Sequence, residues 1–117
     1  MNRHNQNLGR MGEEAAADWY RDSGFDVADQ NWRVAQGELD IVATDLAKSL
    51  VVFCEVKTRT SDAFGSGAEA VTHKKQQRIR KLSLLWLQAS GSRFNEIRFD
   101  VAVVDRAGMV EVLEGCF

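Results

Sequence analysis

Apolar residues recur at helical spacing in two parts of the chain. Near the N-terminus they predict an amphipathic helix over about residues 8 to 23, ended by Gly24, whose apolar stripe comprises Leu8, Met11, Ala15, Ala16 and Trp19. A second repeat predicts a long helix over about residues 73 to 90, with a buried stripe of Ile79, Leu82, Trp86 and Ala89. The polar, glycine-containing stretch TRTSDAFGSG before this helix is typical of a loop.

The remaining segments have the patterns of β-strands. FDVADQNWRV, ELDIVATD and SLVVFCEVK are separated by short turns and predict a meander, and EIRFDVAVVD and MVEVLE predict two more strands. Because a strand, a long helix and a strand form a crossover unit, the strand over about 97 to 104 should lie parallel to that over about 50 to 57. Residues 51 to 54 are apolar on both faces, which places their strand centrally. We therefore predict an α/β fold, a mixed sheet of about five strands flanked by helices, in the order α-β-β-β-α-β-β.

Composition narrows the class of protein. The 117 residues are typical of one domain, residues 1–117, and 44% hydrophobic with 27% charged residues is ordinary for a globular chain. Two cysteines are too few for a disulfide framework, and Cys54 lies in an apolar run, which favours a reducing cytoplasm. No stretch approaches 18 apolar residues, so we expect no membrane association. The net charge of −2 implies that any nucleic-acid contact is local.

Charged residues interrupt two otherwise apolar strands. Since alternate side chains of a strand share a face, Glu38 should lie beside Asp40, and Glu55 beside Lys57. If the two strands are neighbours, their carboxylates gather at one end of the sheet, where two of them about 5 Å apart would repel by roughly 3 kcal/mol at an effective dielectric near 20. A hard divalent cation such as Mg²⁺ reverses this repulsion and leaves coordination positions for phosphate oxygens. The pattern indicates metal-dependent phosphodiester chemistry.

The same residues carry a family resemblance. GELD, followed after 14 intervening residues by EVK, resembles the PD-(D/E)xK signature of restriction-endonuclease-like nucleases, with Leu39 where the signature often has proline. Asp40, Glu55 and Lys57 match its three charged positions. An ordered set of segments over nearly the whole chain resembles the YraN-type family of predicted endonucleases, related to Holliday junction resolvases: GRMGEEAA, NWR, GELDIVA, FCEVKTR, FGSGAEAV, KKQQRI and RFDVAVV.

The resemblance implies a restriction-endonuclease-like fold with a metal-dependent site at the edge of the sheet. Asp40 and Glu55 would hold Mg²⁺ or Mn²⁺, the Val56 carbonyl would be a further ligand, and Lys57 would act as the catalytic base or position the water. The implied activity is hydrolysis of DNA, with selectivity for branched or damaged structures. Resolvase-like members are commonly homodimers, and we expect a homodimer here.

Two acids near these positions have more than one interpretation. Glu13, rather than its neighbour Glu14, matches the acid that the first helix contributes in resolvase-like members, and the alternative is an ordinary exposed helix acid. Glu38 either supports the metal ligands without touching the metal or lies on the solvent side of the turn after Gly37. The sequence leaves both choices open.

Cations crowd the start of the second helix, in HKKQQRIRK, where they oppose the helix dipole. Phosphate binding would explain them, because backbone amides at a helix N-terminus and nearby cations form a sequence-independent phosphate patch. A solvated helix face is the alternative. The candidate nucleic-acid-binding residues, including arginines that flank the acidic segments, are Arg10, Arg33, Arg59, Lys74, Lys75 and Arg78.

Together these features favour a Mg²⁺- or Mn²⁺-dependent nuclease whose partner is nucleic acid, DNA before RNA. An alternative from a different class is a catalytically weak or inactive nucleic-acid-binding module in a DNA repair or processing complex. A third is a purely structural interaction domain. Metal-dependent cleavage separates the first from the other two.

Overall fold

A computed structural model describes residues 3–59 and 71–117, so most of the loop predicted at TRTSDAFGSG lies outside the described residues. The described residues form two helices and five strands: α1 Arg3–Asp22, β1 Asp26–Val34, β2 Gly37–Asp45, β3 Leu50–Thr58, α2 His73–Ser90, β4 Glu96–Val104 and β5 Val110–Leu113. The predicted order α-β-β-β-α-β-β is confirmed.

The five strands form one mixed sheet in the order β1-β2-β3-β4-β5. Every neighbouring pair is antiparallel except β3 and β4, which are parallel and place Phe53 opposite Phe99. The parallel pairing follows from α2, which connects these two strands across the sheet. The crossover and the central position of β3, both predicted from the hydrophobic pattern, are confirmed.

Each helix covers one face of the sheet. Ala16, Ala17 and Tyr20 of α1 pack on one face of the sheet, while Ile79, Leu82, Trp86 and their neighbours on α2 pack on the other. Side chains of β3 enter both layers alternately, which explains why residues 51 to 54 are apolar without a break. Neither helix in the described part of the chain is long and apolar enough to cross a membrane.

The N-terminal helix differs from its prediction in two ways. It starts at Arg3 rather than near residue 8, and Met11, expected in the buried stripe, is 61% exposed. The face in contact with the sheet is set by Ala16, Ala17 and Tyr20. Gly24 does end the helix, with φ of 93° and a Schellman pattern in which the Phe25 N–H donates to the Tyr20 carbonyl at 2.9 Å.

The second helix matches its predicted bounds and has defined ends. Thr72 caps its N-terminus by accepting the Lys75 N–H at 3.2 Å, and Gly91 with φ of 68° ends it. Ile79, Leu82 and Trp86 are buried as predicted, whereas Ala89 is exposed. The cap fixes the start of the helix and therefore the positions of Lys74 and Lys75 in its first turn.

A close approach between α1 and β3 fixes the height of the first helix on the sheet. A Cβ atom placed on Gly12 would lie 2.6 Å from Thr58 Oγ1, a distance that real side chains do not adopt. Only glycine therefore allows this contact. Because Glu13 follows directly, the contact also sets the position of the one α1 acid predicted to be functional.

A buried ionic network ties the same helix to β4. Asp100 on β4 is 0% exposed and accepts the Tyr20 hydroxyl at 2.7 Å, the Gly115 N–H at 3.0 Å and two bonds from Arg98 at 2.9 and 3.0 Å. The carboxylate is thus fully satisfied although it is buried. The network anchors α1 and the C-terminal segment to β4.

Candidate metal centre

The candidate site lies where β2 and β3 stop pairing regularly. Their antiparallel ladder runs from Asp45 and Leu50 to Ile41 and Cys54. Beyond that point Asp40 Oδ2 accepts the Val56 N–H at 2.9 Å, so a side chain occupies the place of a ladder bond. The carboxylate is therefore held between the two strands.

The alternation of faces along β2 breaks at the same residue. Leu39 packs with the α2 layer and Ile41 with the α1 layer, although residues two apart in a regular strand share a face. Asp40 lies at this change of face. In a regular strand the Asp40 side chain would point into one of the two helix layers. The irregularity instead lets the side chain point along the sheet toward β3.

Three carboxylates meet at this point. One oxygen atom from each of Glu13 on α1, Glu38 and Asp40 lies within 4.8 Å of the others, and all three residues are partly buried. We call these three residues the carboxylate trio. Glu38, which the sequence left between two interpretations, thus points toward Asp40, and Glu13 comes together with both. Two oxygens bound to one Mg²⁺ at about 2.1 Å can lie at most about 4.2 Å apart. Small side-chain rotations would therefore suffice for direct binding.

Burial and mutual repulsion raise the pKa of two acids of the trio. The pKa of Asp40 is raised to about 7, first by burial and next by the Glu55 charge, while the Val56 N–H opposes the shift. The pKa of Glu13 is also raised, mainly by burial, with Glu38 and Glu55 adding to the effect and a hydrogen bond from the Asn31 side chain opposing it. Without a cation or a proton, the charged trio is costly to keep folded.

Glu55 lies beside the trio but has its own partner. Its Oε1 is 2.7 Å from Lys75 Nζ at the start of α2, and its side chain is 13% exposed. Lys57, two residues further along β3, is exposed. The sequence pairs Asp40 with Glu55 as metal ligands, whereas the carboxylates grouped with Asp40 within 4.8 Å are Glu13 and Glu38. Roles for Glu55, Lys57 and the Val56 carbonyl at a metal stay predictions.

The six candidate phosphate-binding cations are spread over several surfaces. Two of them pair with acids of the site: Lys75 with Glu55, and Arg33 with Glu38, whose Oε2 lies 2.8 Å from Arg33 Nε. Both pairs offset negative charge near the trio. The other four line grooves elsewhere on the protein. Lys74 and Arg78 line a groove of about 760 Å³ beside α2, Arg10 lines a groove beside α1, and Arg59 lines a groove beside the β4–β5 turn.

Asn31 was not among the sequence candidates. It lies inside β1 with φ of 52°, and its side chain lies close enough to Glu13 to lower the pKa of that carboxyl. The neighbouring Gln30 donates from Nε2 to Glu14 Oε1 at 3.2 Å, which directs Glu14 away from the trio. The available signal was the polar run Asp29-Gln30-Asn31, which interrupts the alternation of a strand, together with the tolerance of asparagine for positive φ.

Residues 12–104 match the model of the "Uncharacterised protein family UPF0102". The chain belongs to the UPF0102 family. The UPF0102 match contains the whole trio, Glu55 and Lys57.

Three relatives, each named a UPF0102 protein, show how far the likeness extends. That of Nocardia farcinica is 50% identical over 99 residues, covering 85% of this chain and 76% of its own length. That of Mycolicibacterium gilvum is 47% identical over 97 residues, with 83% and 79% covered. That of Mycobacterium tuberculosis is 47% identical over 94 residues, with 80% and 73% covered.

Proposed function

We propose that this UPF0102 protein is a metal-dependent nuclease with a restriction-endonuclease-like fold that hydrolyses DNA phosphodiester bonds with Mg²⁺ or Mn²⁺. The observation that carries the proposal is the meeting of Glu13 from one helix with Glu38 and Asp40 from a strand, within 4.8 Å and partly buried. Such a group is unfavourable unless a cation joins it. The spacing of GELD and EVK supports the same reading.

The donor set fits a hard divalent cation. The trio offers only carboxylate oxygens, which Mg²⁺ and Mn²⁺ prefer over softer ligands. Mg²⁺ commonly takes one or two carboxylates directly and reaches others through water, so three acids at this spacing are sufficient. When bound, the ion would polarise a phosphoryl oxygen and lower the pKa of a water molecule.

Each residue of the site has a defined part in this mechanism. The Val56 N–H holds Asp40 through Oδ2, so Oδ1 would be available to bind the cation. Glu13 and Glu38 would supply the remaining carboxylate oxygens. Lys57, exposed next to the site on β3, orients the attacking water and neutralises the negative charge that develops on the phosphate.

Lys75 links the site to the substrate in this proposal. It holds Glu55 at 2.7 Å and belongs to the same turn of α2 as Lys74 and Arg78, which line the adjacent groove. A phosphate that reaches this helix start meets backbone N–H groups and cations together. These contacts involve only the backbone of the nucleic acid, so we propose selectivity for DNA structure, such as branches or damage, rather than for base sequence. Two symmetric cuts would suit the homodimer proposed for this chain.

The test is cleavage by the purified protein of branched, nicked and linear DNA, each with Mg²⁺, Mn²⁺ or EDTA. We expect metal-dependent cutting that is lost in Lys57→Ala and in Asp40→Asn. Glu14→Gln is the matched control, because it neutralises the acid next to Glu13 without touching the trio, and it should cut normally. Size-exclusion chromatography with light scattering tests the homodimer.

DNA binding without cleavage under every metal condition would overturn the nuclease proposal. It would favour a nucleic-acid-binding module that retains the same acids and cations. Cleavage that survives both Lys57→Ala and EDTA would show that the activity comes from elsewhere.

A further inference from the structure

Asn31 has an unusual backbone at the level of the carboxylate trio. Its φ of 52° lies in the left-handed region, which residues other than glycine seldom adopt and which is found disproportionately at functional sites. In the ladder between β1 and β2, Gln30 pairs with Ile41 and Trp32 with Leu39. Asn31 therefore falls opposite Asp40, the residue at which β2 changes face.

The left-handed residue also changes the face of β1. Gln30 contacts α1 through Glu14 and Arg21, whereas Trp32 packs with the α2 layer. In a regular strand these two residues would share a face, and Asn31 would point away from Gln30. Instead Gln30 hydrogen-bonds to α1 and the Asn31 side chain lies near Glu13 of the same helix, so the break in alternation gives the strand two successive amides on the helix side.

These two amides meet two successive acids. Gln30 donates to Glu14 at 3.2 Å, and the Asn31 side chain lies near Glu13, whose pKa it lowers. Glu14 is thereby held outside the trio and Glu13 inside it. The close contact of Gly12 with Thr58 fixes the helix from the other side. The strand β1 therefore sets the direction of the Glu13 side chain, and β3 sets the height of this residue above the sheet.

We propose that Asn31 is a positioning residue of the carboxylate site, whose left-handed backbone and amide turn Glu13 toward Glu38 and Asp40. The inference deepens the proposed function, on which its consequence for metal binding rests. The contact itself does not need a metal. Partners that orient metal ligands without touching the metal typically change metal affinity about 10- to 100-fold when removed.

The contact is tested first in metal-free protein by the side-chain amide resonances in ¹⁵N-correlated NMR spectra. Removal of the Glu13 charge in Glu13→Gln should shift the Asn31 side-chain resonances and leave those of Gln30 in place. Glu14→Gln should do the reverse. If the Asn31 resonances do not respond to Glu13→Gln, the proposal is wrong.

The consequence is tested by titration of Mn²⁺ followed by calorimetry. Asn31→Gly keeps the positive φ and removes the amide, and it should raise the Kd for Mn²⁺ about 10- to 100-fold with an unchanged Tm. Ser49→Gly is the matched control, since Ser49 also has positive φ, of 51°, but lies at the opposite end of β2 and β3. It should leave the Kd unchanged.

The two measurements separate this inference from the proposed function. Equal Mn²⁺ affinity of wild type and Asn31→Gly would overturn the positioning role. If wild type binds no Mn²⁺ while the NMR pattern is as expected, the metal-dependent function fails and the positioning of Glu13 by Asn31 stands.

Discussion

Asp40→Asn should stabilise the metal-free protein at alkaline pH although it removes a central residue of the site. The pKa of Asp40 is raised to about 7 by burial and by Glu55, whereas the same group in an unfolded chain titrates near 4. Between these values the folded state binds more protons than the unfolded state. The contribution of Asp40 to the free energy of unfolding therefore falls as pH rises from about 4 to 7 and is constant above pH 7.

The size of the effect follows from the pH interval. From pH 5 to 7 the free-energy penalty of ionising Asp40 in the folded protein grows over two pH units. Each pH unit is equivalent to about 1.4 kcal/mol, which gives about 2–3 kcal/mol. Asparagine has nearly the same shape, carries no charge and can still accept the Val56 N–H through Oδ1. The gain in unfolding free energy from Asp40→Asn should thus be about 2–3 kcal/mol larger at pH 8 than at pH 5.

Urea unfolding in EDTA at pH 5 and pH 8, for wild type and Asp40→Asn, measures this difference. Addition of Mg²⁺ at pH 8 should stabilise wild type and leave the variant unaffected, since the variant has lost the ligand. Some pH dependence should persist in the variant, because the pKa of Glu13 is raised as well. An Asp40→Asn protein that gains the same free energy at both pH values would refute the electrostatic account of the trio.

Three further predictions concern the surroundings of the site. Gly12→Ala should destabilise the fold by about 1–3 kcal/mol because its Cβ meets Thr58, whereas Gly9→Ala, which has open space, should stabilise α1 by up to about 1 kcal/mol in the same thermal unfolding assay. Tyr20→Phe should cost about 1.5–3 kcal/mol in urea unfolding, because buried Asp100 loses a charge-assisted hydrogen bond; an unchanged free energy would contradict that role. Lys75→Met should strengthen Mn²⁺ binding in calorimetry by releasing Glu55, while the control Lys74→Met, which removes a cation from the neighbouring groove, should not.

The fold could be predicted from the sequence because its signals are local. The apolar run at residues 51 to 54 marks a strand buried on both sides, and the long helix that follows it requires a parallel crossover. The buried face of α1 was harder to predict. Small residues set its contact with the sheet, so the helical spacing predicts a buried Met11 although this side chain is mostly exposed.

The site was predicted less completely because strict alternation does not hold there. The motifs in the sequence predict site roles for Glu13, Asp40, Glu55 and Lys57, of which the structure groups Glu13 and Asp40 in the trio. The sequence could not separate the contacts of Glu55 from those of Glu38. That separation depends on the end of the β2–β3 ladder at Ile41 and on the change of face at Asp40. Neither feature leaves a periodic trace in the sequence, and the left-handed turn at Asn31 depends equally on tertiary contacts.

The two ion pairs at the site differ in how readily they can open. In the pair of Arg33 with Glu38 the side chains are 77% and 31% exposed, so water can replace either partner at a cost of about 0–1 kcal/mol. In the pair of Lys75 with Glu55 they are 39% and 13% exposed, and Glu55 would lose its compensating charge in a drier environment. Under the proposed function, a cation bound by the trio would therefore draw Glu38 away from Arg33 at little cost. Recruitment of Glu55 requires another anion for Lys75, and a nucleic-acid phosphate at the start of α2 would supply one. Under the proposed function, the arrangement couples full assembly of the acidic site to arrival of the substrate backbone.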